Sequence, residues 1–177
     1  METYIALLRG INVSGQKMIK MGNLIKALEE LNFSNIRTYI QSGNIIFQCD
    51  KTDPSNLAVK IAGKISDHFR FEVPVVIRTL AELEQVSENN PFLLRRNEDV
   101  NNLHVTFLAE RPDPVDLKKI KENSFLPDEF IISGKEVYLF CPNGYGRTKL
   151  TNTFFENKLK STATTRNWKT IRQLLIL

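Results

Sequence analysis

"IQSGNIIF" (Ile40–Phe47) and "IISGKEVYLF" (Ile131–Phe140) are two apolar runs carrying the same Ser-Gly pair, at Ser42–Gly43 and Ser133–Gly134, 91 residues apart. Glycine supplies the positive φ that tight hairpin turns demand, so each word reads as a β-hairpin with Ser-Gly at its turn. Turn chemistry can repeat such a word by coincidence. The order of elements around each hairpin decides between coincidence and duplication.

Before the first hairpin, Tyr4–Leu8 reads as a strand, followed by a Gly/Asn/Ser loop and a helix near Met21–Leu31 with Leu24, Leu28 and Leu31 on one face. The hairpin spans Ile36–Cys49. After it, Asp53 and Pro54 open a helix that runs to Phe69 with Leu57, Ile61 and Ile65 as its stripe, and Val73–Arg78 reads as a strand. This is β-α-β-β-α-β, the element order of a ferredoxin-like plait. A short helix over Leu80–Ser87, opened by the capping box of Thr79 and Glu82, leads into the connector "SENNPFLLRRNEDVNN".

The order then returns: a strand at Leu103–Leu108, a helix from Pro114 capped by Asp113, the second hairpin, a helix within Thr151–Leu159 and a strand at Thr162–Thr165. A last helix, Trp168–Ile176, is extra. The expected fold is therefore α+β, two tandem ferredoxin-like α/β plaits. The first covers residues 1–90 with a linker helix, the second 91–177 with the C-terminal helix.

With 42% hydrophobic and 25% charged residues, the 177-residue chain is ordinary for a globular protein and shows no biased segment. The start, "METYIALLRG", lacks the charged and long apolar regions of a signal peptide, and no apolar run reaches the ~20 residues that span a bilayer. A cytoplasmic protein without membrane contact is expected. In that reducing compartment Cys49 and Cys141, each ending a strand-like run, read as buried free thiols.

Several chemistries find no support. The two histidines and two cysteines lie at no metal-ligand spacing, so no metal is expected. His68 suits the C-terminal end of a helix, and His104 reads as a strand residue. No G-x-S-x-G elbow, P-loop or dinucleotide fingerprint occurs, and no cofactor is expected. Aromatic side chains on central strands would mark an RNA-binding plait, but Tyr4, Tyr138 and Phe140 fit that pattern only in part.

The charge is uneven. Residues 1–90 carry ten cations and ten acids, whereas 142–177 carry seven cations against Glu156 alone. Helix starts expose unpaired N–H groups and a partial positive charge, so acids and hydroxyls belong there and cations do not. Three junctions break this rule. "RGINVSGQKMIKMGN" places Arg9, Lys17 and Lys20 before the first helix, "CPNGYGRTKLTN" sets Arg147 and Lys149 beside Gly144 and Gly146, and "TTRNWKT" sets Arg166 and Lys169 about the last helix start. Glycine-rich turns of this kind can cradle phosphate or carboxylate. Trp168, Ile171, Leu174 and Leu175 share one face behind the cap Asn167, so the only tryptophan reads as a core anchor.

The blocks "LLRGINVSGQK", "YIQSGN", "YGRTKLTN" and "ATTRNWKT" resemble the signatures of the bacterial domain of unknown function family 1697. The resemblance spans essentially the whole chain and implies two α/β plait subdomains. It carries no established activity. It maps onto Arg9, Gly10, Asn12, Gly15, Ser42, Gly43 and Asn44 in the first half. In the second it maps onto Tyr145, Gly146, Arg147, Lys149, Leu150, Asn152, Thr165, Arg166, Asn167 and Trp168. Ser14 stands where the family more often shows Gly.

The expected function is a binding module whose three basic loops gather around an anionic ligand, a nucleotide or a nucleic-acid phosphate. Arg9, Arg147, Lys149 and Arg166 would supply charge; Gly10, Gly15, Gly144 and Gly146 backbone access; Asn12, Asn44 and Asn167 directional hydrogen bonds. An enzyme acting on a phosphorylated or carboxylated small molecule is the alternative, with Asp50, Glu72 or His104 as base. A third reading is an interaction or regulatory protein, dimeric through a strand edge.

Overall fold

The computed structural model describes all 177 residues, the side chain of Glu122 excepted. The chain divides into two compact units, Met1–Glu84 with Gln173–Leu177, and Gln85–Arg172. Each unit holds one four-stranded antiparallel sheet. In the first unit β1 (Glu2–Leu8), β2 (Ser34–Tyr39), β3 (Asn44–Cys49) and β4 (Val75–Thr79) lie in the order β2-β3-β1-β4. In the second, β5 (Leu103–Leu108), β6 (Glu129–Ser133), β7 (Glu136–Phe140) and β8 (Ala163–Asn167) lie in the order β6-β7-β5-β8.

The first unit's helices are α1 (Met21–Glu29) and α2 (Pro54–Phe69). Tyr4, Ala6 and Leu8 of β1, Ile45 and Phe47 of β3, and Val75 and Ile77 of β4 form one core with Leu24 and Leu28 of α1 and Leu57, Ile61 and Ile65 of α2. These are the stripes that the 3.6- and 2-residue periods define. Asp53 caps α2 by accepting from the Ser55 amide, and Arg70 closes it at φ 65°.

Thr79 and Glu82 form the expected reciprocal box at the start of α3 (Leu80–Glu88). The Thr79 amide donates to Glu82 Oε2 at 2.9 Å and the Glu82 amide to Thr79 Oγ1 at 3.1 Å. Gly43 is held in place by packing as well as by its φ of 81°, because a Cβ there would stand 2.6 Å from the Leu8 Cβ.

In the second unit, Leu108, Val137, Leu139 and Ala163 of the sheet pack on Phe155 and Leu159 of α6 (Asn152–Leu159). Three expectations change here. The connector contains a helix, α4 (Pro91–Arg96), capped by Asn90, whose Oδ1 accepts from the Phe92 amide at 3.0 Å. An Asn-Pro pair is a helix start, and the short apolar run "PFLL" behind it hid that signal. The helix opened by Asp113, α5 (Pro114–Leu117), lasts a single turn. The last strand continues to Asn167, and α7 (Trp168–Leu174) follows it without a loop. Cys49 and Cys141 are free and buried.

Candidate functional site

The loop from Arg9 to Lys20 in the first unit is bolted at both ends. Ile11 and Ile19 are buried in the core, while residues 13–18 between them are exposed. Along it φ turns positive repeatedly, at Gly10 (75°), Asn12 (53°), Ser14 (50°), Gly15 (72°) and Lys17 (46°). Left-handed backbone costs a non-glycine residue on the order of 1 kcal/mol, so other bonds must hold this path.

Asn12 supplies them. Its Nδ2 donates to the carbonyls of Ile19 (3.0 Å) and Gln41 (2.7 Å), and its Oδ1 accepts from the Ile19 amide (2.7 Å). The Asn12 amide donates to Lys17 O, Lys17 Nζ donates to Glu72 O at 2.6 Å, and the Arg9 amide donates to Pro74 O at 3.0 Å.

The loop encloses a cleft of about 450 Å³ lined by Arg9, Gly10, Val13, Ser14, Gln16, Lys17 and Pro74. Two cations, a hydroxyl and an amide line it, and no carboxylate does. Backbone of mixed hand forms concavities whose N–H groups suit anions. Lys20 stands at the N-cap of α1 with no side-chain cap bond, and the first turn carries no acid, so this helix start is cationic as the sequence implied.

Asn12 and Asn44 do not act as expected. Asn44 is buried and donates to Tyr39 O (3.1 Å) and Ser42 Oγ (3.0 Å), fixing the hairpin turn. Both Nδ2 protons of Asn12 are spent on main-chain carbonyls. The two amides therefore shape the loops and leave ligand contact to others. A Cβ at Gly10, Gly15 or Gly144 would meet nothing within 4 Å, so φ alone asks for glycine there, and Gly146 is required neither by φ nor by space.

In the second unit Arg166 lies near Tyr145, which belongs to the same turn as Arg147. Thr151 caps α6 by accepting from the Phe154 amide at 3.1 Å. Arg147 and Lys149 precede the helix, in keeping with its expected start near Thr151. They line a cleft of about 400 Å³ that also contains Asp128, an acid that offsets them. Arg166 lies in β8 opposite Val105 and donates to Thr164 Oγ1 (2.8 Å) and Thr165 O (2.9 Å). Burial pushes its guanidinium down to about 10, with Tyr145 opposing the shift, so it stays charged at neutral pH. Asn167 caps α7, its Oδ1 accepting from the Thr170 amide at 2.8 Å, and Trp168 is buried as its spacing implied.

Sequence reasoning missed a polar string in the second unit. Thr106 and Thr165 share a hydrogen bond between their hydroxyls at 2.7 Å, and Thr165 Oγ1 meets Asn152 Oδ1 at 2.7 Å. Beside it the His104 ring stacks on Tyr145 at 4.8 Å. His104 Nδ1 is buried without a partner, and burial lowers the ring's pKa against the pull of the Asn102 carbonyl. The period-2 spacing of His104 and Thr106 was the available signal. Asp50 and Glu72 are exposed, and Glu72 meets the basic loop only through its carbonyl. Tyr4 and Tyr138 are buried, so neither offers a stacking platform for bases. Among the described residues, no three of His, Cys, Asp and Glu come together to hold a metal ion. No helix of the described residues is long and apolar enough to cross a membrane.

A frame of two four-stranded antiparallel sheets with a clamped cationic loop defines a class without an assigned activity. The chain belongs to the family described as protein of unknown function (DUF1697), whose profile matches residues 1–138. The blocks around Arg147 and Arg166 lie beyond that match. No curated protein matches the chain. Among solved structures it is similar to the conserved bacterial protein SP0830 from Streptococcus pneumoniae, at 24% identity and a TM-score of 0.75, over 99% of this chain and 97% of that one. At that identity the likeness concerns the fold.

Proposed function

We propose that the chain is a binding module for an anionic ligand, a nucleotide or nucleic-acid phosphate, held at the Arg9–Lys17 loop of the first unit. The observation that carries this reading is a left-handed loop, clamped by Asn12, around a cleft lined by Arg9 and Lys17 and by no acid. Left-handed backbone that is held in place beside two cationic side chains offers an anion both main-chain N–H groups and charge. Gly10 and Gly15 let a phosphate approach the main chain, and Arg9 supplies a planar fork for two of its oxygens.

The same reading treats the two units as tandem ferredoxin-like plaits, divided near residue 90. Its support is main-chain pairing that recurs: the Leu8 amide donates to Gly43 O and the Leu108 amide to Lys135 O, both at 2.8 Å. Likewise the Arg9 amide donates to Pro74 O and the Ala109 amide to Thr162 O.

The test is thermal shift with ATP and pyrophosphate, together with anisotropy of a labelled oligonucleotide at low and high salt, on wild type and Arg9→Ala. Binding should weaken steeply with salt, because phosphate contacts release counterions. Loss of Arg9 should cost about tenfold or more in affinity. Absence of binding by all three probes at low salt, or equal binding by Arg9→Ala, would overturn the proposal.

A further inference from the structure

A third cavity, of about 460 Å³, lies in the second unit between α4, β5 and α7, with Leu93, Val100 and Trp168 as its apolar wall. This is the size of a small-molecule site. Lys169 and Arg172, both exposed, line it as well, and no carboxylate is among its lining residues. Arg172 has only a long bond to Ser87 Oγ, at 3.5 Å, within the unit. His104 also lines the cavity, and its Nδ1 is a buried polar atom without a partner in the protein.

The positive charge comes from two side chains and needs no contribution from α7 itself, which is only seven residues long.

We propose that this cavity binds a small apolar ring bearing one anionic group. The ring lies against Leu93, Val100 and Trp168, and the charge meets Lys169 and Arg172. This site is separate from the Arg9 loop and stands whether or not that loop binds phosphate.

Trp168 is the only tryptophan, so its emission reports the cavity directly. Wild type and the Lys169→Ala/Arg172→Ala double variant are titrated with benzoate, phenyl phosphate and the neutral benzamide, with melting temperatures recorded alongside. The proposal expects a saturable change with benzoate, phenyl phosphate or both, and which of them binds assigns the anionic group as carboxylate or phosphate. Benzamide should bind at least about tenfold more weakly, the factor that one charged hydrogen bond is worth. The double variant should lose the same factor while keeping its melting temperature. No saturable change at millimolar anion, equal affinity for benzamide, or undiminished binding by a folded double variant would each overturn it. Should the double variant fail to fold, the comparison of benzoate with benzamide on wild type decides alone.

Discussion

The two sheets follow the same strand order, yet the Ser-Gly words that suggested their kinship do not occupy equivalent places. In the first sheet Tyr39 pairs with Asn44, so Ile40–Gly43 form the turn and Gly43 is the residue before β3. In the second, Ser133 pairs with Glu136, and the turn is Gly134–Lys135. The residue before β7 is Lys135, whose carbonyl receives the Leu108 amide as Gly43 receives that of Leu8. By register Gly43 matches Lys135 and Gly134 matches Ser42. The repeated word is turn chemistry shifted by one residue, and what recurs between the two sheets is the hydrogen-bond ladder.

The halves also diverge in their crossovers. α1 and α2 have nine and sixteen residues, whereas α5 and α6 have four and eight. The long basic loop follows β1 in one unit and β7 in the other. Shared frame and private loops are the usual division between what folds a protein and what it does.

The largest expected effect separates the two turn glycines. Gly43→Ala adds left-handed strain and an overlap with Leu8, and should destabilise by about 2–4 kcal/mol. Gly134→Ala, where the nearest neighbours of a Cβ stand 3.6 and 3.9 Å away, should cost about 1 kcal/mol. Urea unfolding of both variants checks this, and equal losses would break the assigned register. Next is Asn12→Ala, which strips two carbonyls and one amide of their partner; about 2 kcal/mol in the same assay is expected, together with loss of anion binding. Asn44→Ala should destabilise comparably while sparing the binding, which sharpens the distinction between loop and hairpin.

Smaller still are the caps. Thr79 and Asn167 each end the fourth strand of their sheet and accept from the amide three residues on, so Thr79→Ala and Asn167→Ala should each cost about 1 kcal/mol by thermal unfolding.

The smallest effect is one of pH and belongs to the second unit alone. Burial lowers the His104 pKa below its unfolded value of about 6.5. The unfolded chain therefore binds more protons between the two values. The stability gained from the neutral ring is whole above pH ~6.5 and drains away as pH falls through the folded pKa. His104→Phe should flatten that part of the melting-temperature profile.

Much of the frame was legible in the sequence. α2 and β5 match their expected spans, and the caps Asp53, Thr79, Asp113 and Asn167 stand where side-chain chemistry placed them. These features depend on neighbours in sequence. The site was less legible because it depends on distant ones. Asn12 looked like a ligand donor until the Gln41 carbonyl, 29 residues away, was found to claim it. Arg147 and Lys149 looked like cations awaiting an anion until Asp128, distant in sequence, was found lining the same cleft. The apolar cavity beside Trp168 gave no sign, since burial and pocket lining draw on the same residue types.

The central claim concerns the Arg9–Lys17 loop, and amide chemical shifts read it directly. On titration of pyrophosphate into the ¹⁵N-labelled chain at low salt, the account predicts saturable shifts concentrated at Gly10, Ser14, Gly15 and Lys17 and abolished in Arg9→Ala. Shifts centred elsewhere, or a loop whose amides stay still, would contradict it.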